Sequence, residues 1–143
     1  MMVSAQRILA RCDALARCSE TPGALTRRYL TPQMRAANDL VLAWMQEAGM
    51  TARIDAIGNV CGRYEAMGPD APALLMGSHL DTVRDAGRYD GMLGVISAIE
   101  CVAALHARCK RLPFAVEVLG FADEEGVRDR KSTRLNSSHG YIS

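Results

Sequence analysis

Three short stretches of the chain carry side chains able to hold a divalent cation or move a proton: Ser78-His79-Leu80-Asp81, the carboxylate Asp90, and Asp123-Glu124-Glu125. One imidazole and several carboxylates make a borderline-to-hard ligand set, suited to Zn²⁺ or Mn²⁺. Each stretch also has an ordinary structural reading. A lone histidine after a buried strand is commonly structural, Asp90 could cap a helix opening at Gly91, and an Asp-Glu-Glu run at a strand end is commonly a solvated loop. Where the fold puts the three stretches decides between the readings.

The elements around them form one pattern. Residues 73–77 (Ala-Leu-Leu-Met-Gly) are continuously apolar, which predicts a strand buried on both faces of a parallel sheet. Asp90-Gly91 opens a helix carrying Val95, Ile96, Ile99, Val102 and Ala103 and ending near Lys110. A second apolar run, Phe114 to Ala122, follows Pro113. Strand, helix and strand of these lengths predict a β-α-β unit with both strands pointing the same way. Ligands of such sheets sit beyond the carboxyl ends of the strands, where His79, Asp81 and the Asp-Glu-Glu run fall, with Asp90 delivered by the loop between them. Strands lie ~4.8 Å apart, so even with one strand intervening the groups would converge. Their joint placement favours a metal site over three separate structural explanations.

The front half predicts supporting elements. Ser4 as N-cap and Ile8, Leu9, Cys12, Leu15 and Ala16 at helical spacing predict a helix over 5–18, ended by Thr21-Pro22-Gly23. Thr31-Pro32 opens a second, with Ala37, Leu40, Val41, Trp44 and Ala48 on one face and Gly49 as its stop. Residues 51–65 alternate around Ile57-Gly58-Asn59 and predict two short strands, with Arg53, Asp55 and Arg63 on a wet face. Trp44 and the eight methionines read as core filling, and His106 as a residue favoured by the helix dipole.

Composition narrows the function. In 143 residues, 17 basic against 16 acidic side chains leave a net charge of +1, no electrostatic footprint for nucleic acid or an anionic membrane. Five scattered cysteines without a C-x-x-C pair argue against a disulfide framework or structural zinc, and read as buried small hydrophobes in a reducing compartment. No run approaches the ~20 apolar residues of a membrane span, and no signal peptide is evident, so a cytoplasmic protein is expected. Gly87, Gly91 and Gly94 do not make G-x-G-x-x-G, and neither a phosphate-binding P-loop nor a G-x-S-x-G elbow occurs.

Gly77-Ser78-His79-Leu80-Asp81-Thr82-Val83, Tyr89-Asp90-Gly91-Met92-Leu93-Gly94-Val95 and Phe121-Ala122-Asp123-Glu124-Glu125-Gly126 together resemble the metal-site motifs of the aminoacylase and carboxypeptidase G type of co-catalytic zinc hydrolases. Glu20-Thr21-Pro22-Gly23 with Leu25-Thr26-Arg27, and Asp55-Ala56-Ile57-Gly58-Asn59 with Gly62-Arg63, are similar to the branch of allantoate amidohydrolases and N-carbamoyl-L-amino-acid hydrolases. The resemblance covers residues 4–128. It implies an α/β fold, the N-terminal part of a zinc-peptidase-like catalytic domain with a mostly parallel sheet flanked by helices. It also implies two divalent metal ions, Zn or Mn, with His79 a ligand of one, Asp90 bridging both and Glu125 binding the second. Glu124 becomes the general base on the bridging water, and Asp81 holds the His79 ring in orientation. The implied reaction is attack of a metal-bound hydroxide on a ureido or amide carbonyl of a small molecule, with ammonia and carbon dioxide released in the carbamoyl and allantoate cases.

The same resemblance places two further histidine ligands and an inserted dimerisation domain downstream of the glutamate pair, so the full-length parent is expected to be a homodimer. Residues 129–143 lack apolar periodicity, and Arg130 to His139 resembles translated adapter or vector sequence. The expectation is therefore a truncated catalytic domain over 1–128 and a non-native-looking, disordered tail over 129–143, the chain by itself inactive. Two alternatives stay open: a related metallopeptidase or aminoacylase acting on dipeptides or acyl amino acids, and a non-catalytic binding domain of the same fold.

Overall fold

A computed structural model describes residues 3–127, so the expectation for the tail over 129–143 lies outside the described residues. Seven elements follow one another: α1 (Ala5–Ala16), α2 (Pro32–Glu47), β1 (Thr51–Ile54), β2 (Val60–Tyr64), β3 (Ala73–His79), α3 (Met92–His106) and β4 (Ala115–Phe121). The helix starts follow from their caps. The Ser4 hydroxyl accepts from the Arg7 N–H, and the Thr31 hydroxyl from the Met34 N–H with Pro32 in the first turn, each satisfying an amide the helix leaves free. Gly58, at φ +93°, makes the turn that returns β2 antiparallel to β1.

The sheet order is β1-β2-β4-β3. It is mixed: β1 with β2 and β2 with β4 are antiparallel, and parallel pairing is confined to β3 and β4. Val60, Gly62 and Tyr64 of β2 lie in register with Gly120, Val118 and Val116 of β4, forming the face that meets the helices. At Gly62 a Cβ would stand 2.7 Å from the Met45 sulfur, and at Gly94 2.8 Å from the Ser78 Cβ. Helices α2 and α3 therefore approach this face at glycines, where no side chain stands in the way. On the other face Arg63 pairs with Glu117.

Several expectations need correction. The apolar run of β3 is not buried on both faces: Leu74 is 47% and Leu75 61% exposed. The two point to opposite faces, and both are open because β3 is an edge strand with no neighbour on its outer side among the described residues. The buried stripe of α2 is Met34, Ala37, Asn38, Val41, Met45 and Ala48, rotated from the predicted face. Trp44 is half-buried and packs against the core, with the Arg11 guanidinium 5.0 Å from its ring in a cation–π contact, whereas Met67 is exposed rather than core filling. All five cysteines are free, yet Cys12 alone is fully buried and Cys101 and Cys109 are exposed. His106 does end α3, where it meets Tyr64 edge-on at 6.1 Å between ring centroids. No helix among the described residues is long and apolar enough to cross a membrane.

Two buried charges tie the helices together. Glu100 of α3 takes hydrogen bonds from the Arg7 side chain and the Ser4 N–H, docking α1 on α3. Arg27, also fully buried, donates to the carbonyls of Leu15 and Cys18 at the end of α1 and to Leu80 just past β3. Burial pushes its guanidinium down to about 10, so it stays charged at neutral pH.

Candidate metal centre

Parallel pairing sets His79 opposite Phe121, so β3 and β4 end at the same level and no strand separates them. The ladder runs one step further, the Leu80 N–H donating to the Phe121 carbonyl at 2.9 Å. The loops leaving both strands therefore meet, and the chain returns through Asp90 immediately before α3.

His79 is the centre of this convergence. Its Nδ1 lies 2.9 Å from the backbone carbonyl of Asp81. A carbonyl only accepts, so Nδ1 carries a hydrogen and Nε2 points the other way. Around Nε2 stand Asp90 Oδ1 at 3.6 Å, Glu124 Oε2 at 3.9 Å and Glu125 Oε1 at 3.9 Å. One ligand atom each from His79, Glu124 and Glu125 fall within 4.8 Å of one another. An imidazole nitrogen among three carboxylates is a donor set that a cation placed between them would satisfy. The donor set thus fits a divalent metal, and the expected residues His79, Asp90, Glu124 and Glu125 are brought together.

The environment makes the negative charges costly. Burial raises the Glu125 carboxyl above the usual glutamate range, and Glu124, Asp90 and Asp81 push the same way against the pull of His79. Asp81 is almost fully buried and is raised by that burial, with hydrogen bonds from Glu124 and Glu125 opposing it.

Asp81 touches the His79 ring through its main chain, while its carboxylate Oδ1 stands 3.7 Å from Nδ1. The carboxylate is engaged elsewhere: Oδ1 accepts the Glu124 N–H and Oδ2 the Glu125 N–H, each at 3.1 Å. Asp90 is not the cap of α3. Gly91 occupies that position at φ +82° with no side-chain cap hydrogen bond, and Asp90 is turned to the site with more than half of its side chain exposed. A Cβ on Gly91 would stand 2.5 Å from His79 Cε1, so the ring rests directly on the glycine.

Two further residues reach the strand exits through contacts that local sequence does not mark. Asn59 reads as turn chemistry, yet its Oδ1 accepts the Ala122 N–H at 3.0 Å while its Nδ2 holds Asp55, fixing the exit of β4. Arg27 anchors the exit of β3 through the Leu80 carbonyl. Neither contact has a local signature, because the partners are backbone groups 63 and 53 residues away in the chain.

The model of peptidase family M28 matches residues 59–143. Allantoate deiminase 1 of Glycine max is 47% identical over 122 residues, covering 84% of this chain and 25% of that protein. An N-carbamoyl-L-amino acid amidohydrolase of Geobacillus stearothermophilus is 40% identical over 130 residues, 90% of this chain and 32% of that protein. Among solved structures, a hydantoinase/carbamoylase family amidase from Burkholderia ambifaria superposes with a TM-score of 0.83 at 34% identity, over 89% of this chain and 32% of its own. The chain thus spans a quarter to a third of the length of the curated relatives it matches. The matching family model covers more than half of the sequence, and the chain belongs to peptidase family M28.

Proposed function

We propose that a protein of the relatives' length carrying this chain hydrolyses the ureido group of allantoate or of an N-carbamoyl amino acid, one water converting R–NH–CO–NH2 into the free amine R–NH2, carbon dioxide and ammonia. The observation that carries this reading is the His79 ring, fixed through Nδ1 so that Nε2 faces three carboxylates. Its ureido direction is supported by the relatives named allantoate deiminase and N-carbamoyl-L-amino acid amidohydrolase.

His79, Asp90 and Glu125 would hold the divalent ions, Zn or Mn, of this centre. When bound, such ions supply Lewis acidity, polarising the ureido carbonyl and making water more acidic. Glu124, with more than half of its side chain exposed at the rim, takes the proton from the attacking water at its carboxylate and returns it to the departing nitrogen. Asp81 holds the Glu124 and Glu125 backbone in register, so that adjacent side chains serve different ends. The resemblance supports a homodimer, and the free thiols support a reducing, cytoplasmic setting.

The test is an assay of ammonia release from allantoate and N-carbamoyl-L-amino acids beside a dipeptide panel, with Mn²⁺ or Zn²⁺ supplied. Ammonia release is expected. Dipeptide cleavage without ammonia would assign the protein to the peptidase chemistry of its family instead.

A further inference from the structure

The loop after β3 is pinned on both sides of Asp81 by one residue. Arg27 Nε donates to the Leu80 carbonyl at 2.9 Å, and the Thr82 N–H donates to the Arg27 carbonyl at 2.9 Å. Those groups belong to the two peptide planes that flank the Asp81 Cα, so together they set its φ and ψ. A third bond, from the Arg27 N–H to Thr82 Oγ1 at 2.8 Å, closes the clamp. The dihedrals of Asp81 decide two things at once: where its carbonyl meets His79 Nδ1, and where its carboxylate meets the amides of Glu124 and Glu125. The far end of the guanidinium is anchored on Leu15 and Cys18, so the clamp ties the end of α1 to the cluster.

We propose that Arg27 is a positioning residue of the metal centre, acting through Asp81 on the His79 tautomer and on the placement of Glu124 and Glu125. The inference rests on the metal-binding reading above. Its structural part, the tautomer, is measurable without metal. Lysine does not replace arginine here: a lysine Nζ reaches the α1 carbonyls while keeping the charge, but has no donor at the position of Nε.

The experiment compares the full chain with Arg27→Met, Arg27→Lys and Glu100→Gln, the last breaking the buried contact between α1 and α3 away from the cluster. Nitrogen-15 spectra of the metal-free imidazoles report the tautomer, and Co²⁺ titration with its visible spectrum reports affinity and coordination. The wild type should show the Nδ1–H form of His79. Both Arg27 variants should lose that uniform tautomer and bind Co²⁺ about 10–100-fold more weakly with an altered spectrum, the range for residues that orient metal ligands. Glu100→Gln should lower thermal stability and leave both readouts unchanged. If Arg27→Met does not fold, Arg27→Lys decides. Arg27 variants that keep the wild-type tautomer and spectrum, however much stability they lose, overturn the proposal. A wild type with the Nδ1–H ring but no Co²⁺ uptake would contradict the metal reading, and the tautomer comparison would still decide the role of Arg27.

Discussion

Asp81 Oδ1 accepts the backbone N–H of Glu124 at 3.1 Å, a contact between two strand exits 43 residues apart in the chain. With the twin bond to the Glu125 N–H it makes a buried carboxylate the template on which the glutamate pair is laid out. Asp81→Asn replaces one acceptor with an amide donor aimed at an N–H. Stability should fall by about 1–3 kcal/mol, the cost of leaving a buried donor unsatisfied. Metal affinity should fall roughly 10–100-fold. Urea unfolding and metal titration on the same variant check both.

Glu124 and Glu125 are adjacent and should not be interchangeable. Glu124→Gln removes the proposed proton carrier and should keep metal binding while turnover drops about 10²–10⁴-fold. Glu125→Gln should weaken one metal site. Metal content and ammonia release measured on both variants separate the roles; loss of metal with retained turnover in Glu124→Gln would reverse them.

Gly91→Ala should damage the centre by two routes. Gly91 sits at φ +82°, and an added Cβ would collide with the His79 ring. A backbone at φ +82° and ψ −54° lies in a sparsely populated region that costs a residue with a side chain about 1–3 kcal/mol. Gly23, at φ +77° with nothing within 4 Å of an added Cβ, supplies the control. Gly23→Ala should lose less stability and keep wild-type metal affinity, whereas Gly91→Ala should lose both, as calorimetric titration would show.

The pairing of Glu100 with Arg7 predicts an acid-sensitive dock for α1. The Arg7 hydrogen bond lowers the Glu100 carboxyl below the usual range, burial opposes it, and the Ser4 N–H adds to the lowering. A carboxylate lowered in the folded state contributes stability that is fully present above the unfolded glutamate value of about 4.3. That contribution is lost as pH falls from there through the lowered folded value. Glu100→Gln should therefore cost about 1 kcal/mol near neutrality, where a charged hydrogen bond is replaced by a neutral one. The difference in urea midpoint between variant and wild type should shrink below about pH 4.

Much of this architecture is legible in the sequence. Ser4 and Thr31-Pro32 announce their helices, because a cap is a local arrangement of side chain and backbone within one turn. The β-α-β unit is legible from its apolar runs, and with it the meeting of His79, Asp90 and Glu124-Glu125 at one sheet edge. Antiparallel pairing of β2 with β4 is not, since a register between distant strands leaves no period in either. The same apolar run that makes β3 a strand does not say that Leu74 and Leu75 lie at an open edge. Asp81, Asn59 and Arg27 act on backbone amides and carbonyls, which almost every residue possesses, so nothing in their surroundings marks the partner. Asp90 shows the converse: its position before Gly91 suits a cap, and only the fold turns it to His79.

In the proposed function His79, Asp90 and Glu125 hold divalent cations beside Glu124, and the most direct measurement of this is an anomalous difference map at the zinc edge from crystals of the protein grown with Zn²⁺. A peak about 2.0–2.1 Å from His79 Nε2 and about 2.0–2.2 Å from carboxylate oxygens of the cluster is the predicted result. Full zinc loading with every peak elsewhere, and His79 Nε2 left without a metal, would contradict it.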